Sequence, residues 1–488
     1  MSKQAAGLSY AVRFSVLAKY FGQLCFVVAL LTVLPLVVSL VNSETHITLR
    51  YVFVVLALTA VAGLFGRIHA PQEVQVNEAM VLVAFMFLFT PLVVSFPIMG
   101  SGLAFSDALF EAISGITTTG LTTINNVEDM SPTFFFARAW MQWYGGLGIV
   151  ILSLALLFRP GSAAKKFAVT ETDEDDLVGG TKAHARRVLV VYAILSGTGI
   201  LLLLTLGVRP FDALLYSLAS VSTGGFAPHD NSLAALGSPV VYYAVILTCL
   251  AGAVPLSLYR MPYKRGRRSG TAVVQLRGLL IMGALVSVTL GISLALTEEG
   301  GWERAFRHAP ILAFSAQTTA GFSTTDLSSL HAAAKLVLIM AMAVGGSVGS
   351  TAGGIKILRL LMVLSLLRVL LRRTCTSKHA VAEPRMAGQA MDESEIQEAF
   401  LVILLFLTVI VFSWLPFLFF QYDPLDSLFE VVSATGTVGL SVGVVSHDMP
   451  VLLKGVLCVD MLLGRLEILA WLVILYPRTW FGRRLKES

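Results

Sequence analysis

The chain has 488 residues, of which 56% are hydrophobic and 13% are charged. A soluble globular domain carries about 25% charged residues, so this composition excludes an ordinary soluble protein. The formal net charge is +5, but the basic clusters lie beside apolar runs, which argues against nucleic-acid binding.

Apolar runs of membrane-spanning length begin near the N-terminus. Tyr20 to Val41 and Tyr51 to Phe65 contain no charged residue. Because about 20 apolar residues cross a bilayer as a helix, two spans are predicted at residues 20–41 and 48–67. No small-residue cleavage site follows a short apolar core, so the first span is expected to be retained rather than removed as a signal peptide.

Beyond residue 70, one order of segments recurs four times. Each unit has an apolar span, an outer segment, a short apolar stretch, a Thr/Gly-rich stretch and a second apolar span. The first spans are predicted at 76–97, 187–207, 272–296 and 397–419, and the second at 133–158, 239–259, 332–371 and 451–476. Basic clusters such as Arg159 to Lys166 end the units, so both ends of each unit, and both termini of the chain, are expected in the cytoplasm.

The predicted fold is therefore an all-α polytopic membrane protein. Four pseudo-symmetric membrane–pore-loop–membrane repeats are expected around a central ion pore, after two extra transmembrane helices. The predicted boundaries are 1–70 for the N-terminal two-helix extension, 71–165, 183–265, 270–378 and 395–480 for the four pore units, and 481–488 for a cytoplasmic tail.

The Thr/Gly-rich stretches share the pattern Thr-x-Gly followed by Leu or Phe. A single copy means little, because small residues are common where membrane helices pack. Four copies in matching context indicate a pore. They are Thr118-Thr119-Gly120-Leu121, Thr223-Gly224-Gly225-Phe226, Thr319-Ala320-Gly321-Phe322 and Thr437-Val438-Gly439-Leu440.

Such stretches suit the coordination of a dehydrated cation. Irregular backbone at membrane depth is tolerated only where it is buried in protein or lines water. Glycine lets successive carbonyls face one axis, and rings of carbonyl oxygens form the selectivity filter of potassium channels. Thr437-Val438-Gly439-Leu440 is close to the Thr-Val-Gly-Tyr-Gly of those channels. The twelve Thr-x-Gly residues are therefore predicted to bind potassium.

The similarity extends upstream of the glycines. Asp107, Asp212 and Asp426 stand thirteen residues before the glycine in three units, and His308 stands there in the third unit. An acidic residue near the start of a short helix interacts favourably with the helix dipole. Apolar residues stand ten before the glycine in every unit. They are Phe110, Leu215, Ile311 and Phe429.

The second span of the third unit contains a glycine-rich segment that should break a helix. Two half-helices joined by a loop inside the membrane are expected, with the loop as a gate. A phosphate-binding loop is the alternative, but Gly-x-x-x-x-Gly-Lys-[Ser/Thr] is absent. The predicted gate residues are Gly345, Gly346, Ser347, Gly349, Ser350, Thr351, Gly353, Gly354 and Lys356.

Arg465 interrupts the apolar second span of the fourth unit. Because a charge at membrane depth is costly, Arg465 is expected to face the cavity below the filter, where it would repel cations or hold the gate loop. The alternative is a structural arginine neutralised by Asp460 or another carboxylate. A pair with Glu467 is not expected, since residues two apart on a helix point in different directions.

Together, the four Thr-x-Gly stretches, the loop from Gly345 to Lys356 and the Gly464-Arg465-Leu466-Glu467 motif resemble the Trk/Ktr/HKT superfamily of potassium transporters. The two extra N-terminal spans resemble the Trk branch. The resemblance implies the membrane subunit of a potassium uptake system in a bacterial inner membrane. It also implies a homodimer with one pore per subunit and a cytosolic regulatory subunit with nucleotide-binding domains. Glycine rather than serine at Gly120 favours potassium over sodium, by comparison with plant members.

Two other kinds of membrane protein fit less well. An alternating-access transporter is expected to show two related halves rather than four quarters. A membrane-embedded enzyme needs a polar catalytic cluster, and the eight histidines form none, so no enzyme activity and no covalent cofactor are predicted. Both a channel and a symporter coupled to sodium or protons are compatible with the pattern.

Overall fold

The computed structural model describes residues 11–70, 75–157, 177–260, 270–297, 301–375, 384–386 and 389–482. The basic cluster Arg159 to Lys166 and most of the predicted tail lie outside these residues. Within them, six helices are long and apolar enough to cross a membrane. The described strands are a short antiparallel hairpin, β1 (Arg385–Met386) and β2 (Gln389–Ala390). The prediction of an all-α membrane protein is confirmed.

The N-terminal extension consists of α1 (Phe14–Val41) and α2 (Thr45–Phe65). Both are apolar around most of their circumference, as expected for helices surrounded by lipid. Cys25 of α1 and Leu58 of α2 are buried in one cluster together with residues of the next helix. The extension is therefore packed against the rest of the chain rather than separate from it.

The four units contain the helices that follow. In chain order they are α3 (Val76–Ile98), α4 (Phe105–Ile116) and α5 (Pro132–Leu157); α6 (Leu177–Thr205), α7 (Pro210–Val221) and α8 (Pro239–Ala253); α9 (Gly270–Thr297), α10 (Gly301–Gln317), α11 (Ala332–Val344) and α12 (Ile357–Cys375); and α13 (Glu393–Phe419), α14 (Pro424–Thr435), α15 (Val451–Arg465), α16 (Leu469–Leu475) and α17 (Pro477–Trp480). The short helices α4, α7, α10 and α14 each precede a Thr-x-Gly stretch.

Local sequence explains where the short helices begin. Pro210 and Pro424 occupy the first turn of α7 and α14, where a missing N–H costs nothing. Asp423 caps α14 by accepting hydrogen bonds from the N–H groups of Leu425 and Asp426, both at 3.0 Å. The apolar residue ten before each glycine is fully buried, with Phe110, Ile311 and Phe429 at 0% and Leu215 at 1% exposure. These residues anchor the short helices in the core.

Glycines allow the second helix of three units to pass directly under its short helix. A Cβ on Gly145 would lie 2.1 Å from the carbonyl oxygen of Ile116, the last residue of α4. Gly252 and Gly464 make the same approach to the last residues of α7 and α14, at 2.3 Å and 1.8 Å. Since no side chain fits in such a gap, these glycines set the distance between the layers.

Three predicted spans differ from single straight helices. The second span of the third unit is broken between Val344 and Ile357, as its glycines predict. The second span of the second unit ends at Ala253 instead of continuing to 259, because Pro255 follows and a 3-10 helix takes over at Leu256.

The second span of the fourth unit, predicted as continuous over 451–476, is also broken, and that prediction was wrong. α15 ends at Arg465, and the next helix starts at Leu469. Glu467 and Ile468 between them have positive φ values of 54° and 61°. A left-handed backbone at two consecutive residues cannot continue a right-handed helix.

Candidate functional site

The four Thr-x-Gly stretches adopt one backbone conformation. Their first threonines are left-handed, with φ of 53° at Thr118, 52° at Thr223, 53° at Thr319 and 50° at Thr437. The glycines two residues later also have positive φ, between 71° and 93°. A left-handed β-branched residue is an outlier that costs about 1–3 kcal/mol. Four such outliers at matching positions indicate a backbone held for function.

The stretches meet in a closed ring. Around it, the middle carbonyl of one stretch lies against the glycine of its neighbour, so that a Cβ on that glycine would nearly overlap the oxygen. The distances from the Cβ position to the oxygen are 2.2 Å from Gly120 to Gly224, 2.4 Å from Gly225 to Ala320, 2.1 Å from Gly321 to Val438 and 2.1 Å from Gly439 to Thr119. Each contact joins one unit to the next, and the last returns to the first.

In the ring, backbone carbonyl oxygens lie directly against glycines, and no side chain fits between them. The threonines and the middle residues are fully buried, whereas the four glycines are partly exposed. The hydroxyl oxygens of Thr118 and Thr437 are buried and have no hydrogen-bond partner among the described residues. Unpaired hydroxyls next to rings of carbonyls fit a dehydrated monovalent cation.

Buried carboxylates hold the chain where it leaves the ring in two units. Glu111 on α4 accepts hydrogen bonds from the Thr122 hydroxyl at 2.5 Å and the Thr123 N–H at 3.1 Å. Glu430 on α14 accepts from the Ser441 hydroxyl at 2.7 Å and the backbone N–H of residue 442 at 2.9 Å. Glu111 also pairs with Arg138 of α5 at 3.0 Å. Residue patterns had not identified these glutamates.

Two lysines join neighbouring units through the predicted helix-start aspartates. Lys454 of α15 pairs with Asp107 at 2.5 Å, which links the fourth unit to the first. Lys335 of α11 pairs with Asp426 at 2.7 Å, which links the third unit to the fourth. Sequence reasoning assigned these aspartates to the helix dipole only. The missed signal was a single lysine within the first four residues of each of two predominantly apolar helices.

His308 replaces the aspartate in the third unit and has a different partner. Its Nδ1 lies 2.8 Å from the hydroxyl of Thr324, which follows the third stretch. The histidine therefore holds the outgoing chain of its own unit, whereas the aspartates of the first and fourth units bridge to a neighbour.

The loop between α11 and α12 lies at the threonine end of the ring. Its Gly353 N–H donates to the Thr319 hydroxyl at 2.7 Å, and a Cβ on Gly353 would lie 2.2 Å from the Thr437 hydroxyl. The Thr223 hydroxyl donates to that of Thr351 at 3.3 Å. The loop thus contacts the threonines of three of the four stretches.

The rest of the loop is bonded to α8, to α10, to the 3-10 helix that starts at Leu256, and to itself. The N–H groups of Ser347 and Thr351 donate to the carbonyls of Ala253 and Gly252, each at 3.2 Å. The remaining contacts join the loop to α10, to the 3-10 helix that starts at Leu256, and to itself. The carbonyl of Gly345 accepts from the Gln317 side chain, and that of Gly349 accepts from the Leu256 N–H. Within the loop, the Gly346 N–H donates to the Gly353 carbonyl, and the Ser350 hydroxyl donates to the Ser347 carbonyl. Left-handed Gly354 packs on Gly345, and the Lys356 ammonium donates to the Ala352 carbonyl.

Arg465 reaches the loop and not a carboxylate. Its Nη1 donates to the carbonyl of Thr351 at 2.8 Å, while its Nε and Nη2 have no partner among the described residues. Asp460, the expected neutralising group, accepts instead from the Ser413 hydroxyl at 2.5 Å. Glu467 pairs with Arg359 of α12 at 2.5 Å. Arg465 is 3% exposed, so a buried, unneutralised positive charge adjoins the loop.

The chain is similar to proteins of known families over almost its whole length. The sequence model of the TrkH family, described as a cation transport protein, matches residues 20–264 and 302–478. The Trk system potassium uptake protein TrkH of Halomonas elongata is 28% identical over 95% of this chain and 98% of its own. TrkH of Salmonella typhimurium, also named a Trk system potassium uptake protein, is 25% identical over 96% of this chain and 100% of its own. The crystal structure of the potassium transporter TrkH from Vibrio parahaemolyticus superposes with a TM-score of 0.85, at 23% identity, over 96% of this chain and 100% of that chain.

Proposed function

Because this chain belongs to the TrkH family of cation transport proteins, we propose that it takes up potassium through the ring of Thr-x-Gly stretches. Membership makes it a multi-pass membrane transport protein and not an enzyme. Its curated relatives from Halomonas and Salmonella are named potassium uptake proteins. The single observation that carries the proposal is the closed ring, in which each middle carbonyl abuts the next glycine.

In this proposal the ring replaces the water around a potassium ion. Carbonyl oxygens of the four stretches, with the hydroxyls of Thr118 and Thr437 at one end, supply the ligands. Such a ring distinguishes ions by its size and by the number and field strength of its oxygens. Since each stretch is supported by its neighbours, the spacing of the oxygens is held against collapse.

The loop from Gly345 to Lys356 acts as the gate, and Arg465 holds it in the closed position. The loop lies at the threonine end of the ring. It contacts Thr223 and Thr319 there, and its Gly353 lies against Thr437. The bond from Arg465 to Thr351 holds it there. The unneutralised charge of Arg465 also repels a cation at that end. Opening requires both the loop and the guanidinium to move aside.

The chain works as a homodimer in a bacterial inner membrane, with each subunit surrounding its own pore and both termini in the cytoplasm. A cytosolic regulatory subunit with nucleotide-binding domains moves the gate. These assignments rest on the family resemblance and on the distribution of basic residues. The link from gate to cytoplasm runs through α12, which begins where the loop ends.

Potassium and sodium flux into liposomes tests the ring. Purified protein is reconstituted with one permeant cation at a time, with and without the regulatory subunit. For wild type we expect potassium flux well above sodium flux. For Gly439→Ser we expect loss of flux or of selectivity, because Gly439 has φ of 93° and a side chain would lie 2.1 Å from the Thr119 oxygen.

Gly443→Ser is the matched control, since Gly443 also has a positive φ but nothing within 4 Å of its Cβ position. It carries the same backbone strain without the clash in the ring. Absence of cation flux in wild type, even with the regulatory subunit present, would disprove the proposed function. Equal effects of the two serines would disprove the role of the ring contact.

Arg465→Ala tests the gate in the same liposomes. A hydrogen bond from a charged donor contributes roughly 1.5–3 kcal/mol, so its loss should raise potassium flux about tenfold or more in the absence of the regulatory subunit. Arg209→Ala, which removes an exposed arginine outside the ring and the loop, should leave flux at the wild-type level. Unchanged flux in Arg465→Ala would disprove the role of Arg465 in holding the gate closed.

A further inference from the structure

The second stretch differs from the others at its middle position. Thr119, Ala320 and Val438 place a buried side chain there, whereas the second stretch has Gly224. A Cβ on Gly224 would lie 2.4 Å from Cδ of Gln142 and within 2.8 Å of both polar atoms of its amide. The side chain of Gln142, from α5 of the first unit, therefore fills the space that a residue of the stretch fills elsewhere.

Gln142 also binds the second stretch on both sides of Gly225, the glycine of its Thr-x-Gly pattern. Its Nε2 donates to the carbonyl oxygen of Gly224, and its Oε1 accepts from the N–H of Phe226 at 3.1 Å. The side chain is fully buried. One turn earlier on α5, the guanidinium of Arg138 lies 3.7 Å from the ring centroid of Phe226. One face of α5 thus clamps the second stretch from Gly224 to Phe226.

No other stretch has an equivalent amide among the described residues. The position of Gln142, twenty-two residues after the glycine of its unit, is Met461 in the fourth unit, also fully buried. Met461 precedes the first stretch around the ring, as Gln142 precedes the second, but a thioether cannot donate a hydrogen bond. Among the described residues, the second stretch is therefore the one held by a side-chain amide.

We propose that Gln142 is a positioning residue that fixes the Gly224 carbonyl and thereby sets the discrimination between potassium and sodium. This inference rests on the proposed function of the ring. A ring that is loose at one wall adapts to a smaller ion, because its oxygens are no longer held at the spacing that suits potassium. Supporting hydrogen bonds hold binding groups to within about 0.5 Å of the required geometry.

Gln142→Met tests the proposal with little change in volume, since methionine occupies the matching position in the fourth unit. Potassium and sodium fluxes are measured in liposomes, in the wild-type and the Arg465→Ala backgrounds, so that a closed gate does not hide the ratio. We expect the potassium-to-sodium flux ratio to fall about fivefold or more. The melting temperature of the purified protein is measured in parallel, together with its increase on adding KCl or NaCl.

Trp143→Phe is the control on the same helix. It removes a half-buried donor, whose Nε1 donates to the Ser196 hydroxyl at 2.8 Å, but that bond does not involve the ring. Its flux ratio should stay within about twofold of wild type. Gly224→Ala provides a second route, because its methyl displaces the Gln142 amide. Alone it should lower the ratio as Gln142→Met does, and in a Gln142→Ala background it should lower it no further.

The outcomes separate the two hypotheses. A wild type that carries potassium selectively, with Gln142→Met and Gly224→Ala retaining its ratio, overturns this inference and leaves the proposed function standing. Absence of potassium flux in both the wild type and Arg465→Ala, together with no stabilisation by KCl, overturns both. A lower ratio in Gln142→Met and Gly224→Ala, with Trp143→Phe unaffected, supports the positioning role.

Discussion

Glu111 in the first unit and Glu430 in the fourth occupy matching positions in different surroundings. Both are fully buried, nine residues before the glycine of their stretch. Both accept hydrogen bonds from residues two and three after that glycine. Only Glu111 faces a cation, Arg138, whereas Leu457 occupies the corresponding position in the fourth unit. The shared task is therefore to hold the chain that leaves the ring, and the counter-charge is an addition of the first unit.

Arg138, the counter-charge of the first unit, also contacts the second unit. Arg138 pairs with Glu111 and also lies over Phe226 of the second unit. The fourth unit makes its junction with the first through Lys454 and Asp107 instead. Similar backbones are thus joined by different chemistry at different junctions, and substitutions at matching positions should have unequal effects.

Of the substitutions that test this comparison, Arg138→Leu should have the largest effect. It gives the first unit the leucine that the fourth unit has at the matching position, Leu457. It leaves Glu111 buried without its cation, and removing one partner of a buried pair costs about 3–5 kcal/mol. The free energy of unfolding of the purified protein in detergent, or its melting temperature, measures the effect. We expect a large loss of stability.

The double variant Arg138→Leu/Glu111→Gln is the matched control, since it removes both charges. It should recover part of the stability lost in Arg138→Leu. If the double variant is less stable than the single one by the full cost of Glu111→Gln alone, the two charges act independently and the interpretation of the pair is wrong.

Glu430→Gln has the smallest expected effect and sharpens the comparison. Oε2 of Glu430 has no hydrogen-bond partner among the described residues, and glutamine keeps an oxygen for the Ser441 hydroxyl. The cost should be about 1 kcal/mol or less. Glu111→Gln, which strands Arg138, should cost several times more in the same unfolding measurement. Equal losses in the two variants would show that the surroundings of the two glutamates do not matter.

The sequence predicts those features whose residues are close together along the chain. Thr118 to Gly120 and its three counterparts specify the backbone of each stretch locally, because each contains the glycine whose positive φ that backbone requires. The glycines from Gly345 to Gly354 likewise break their own helix. The family, the all-α fold and the helix break in the third unit follow from such local patterns.

The contacts between units could not be predicted in this way. Lys454 and Asp107 are 347 residues apart in the chain, and no local pattern relates them. Gln142 reads as one polar residue in an apolar helix until the second stretch is placed beside it. The helix break at Glu467 and Ile468 contains neither glycine nor proline, so the usual signal of a break is absent there.

The closed ring has a genetic consequence, because all four of its walls belong to one polypeptide. In a tetramer of identical subunits, one codon change alters the pore at four places at once. Here the same change alters a single wall and leaves three as they were. Under the proposed function, a substitution therefore changes ion preference through one stretch at a time, as proposed here for Gly224 and Gln142.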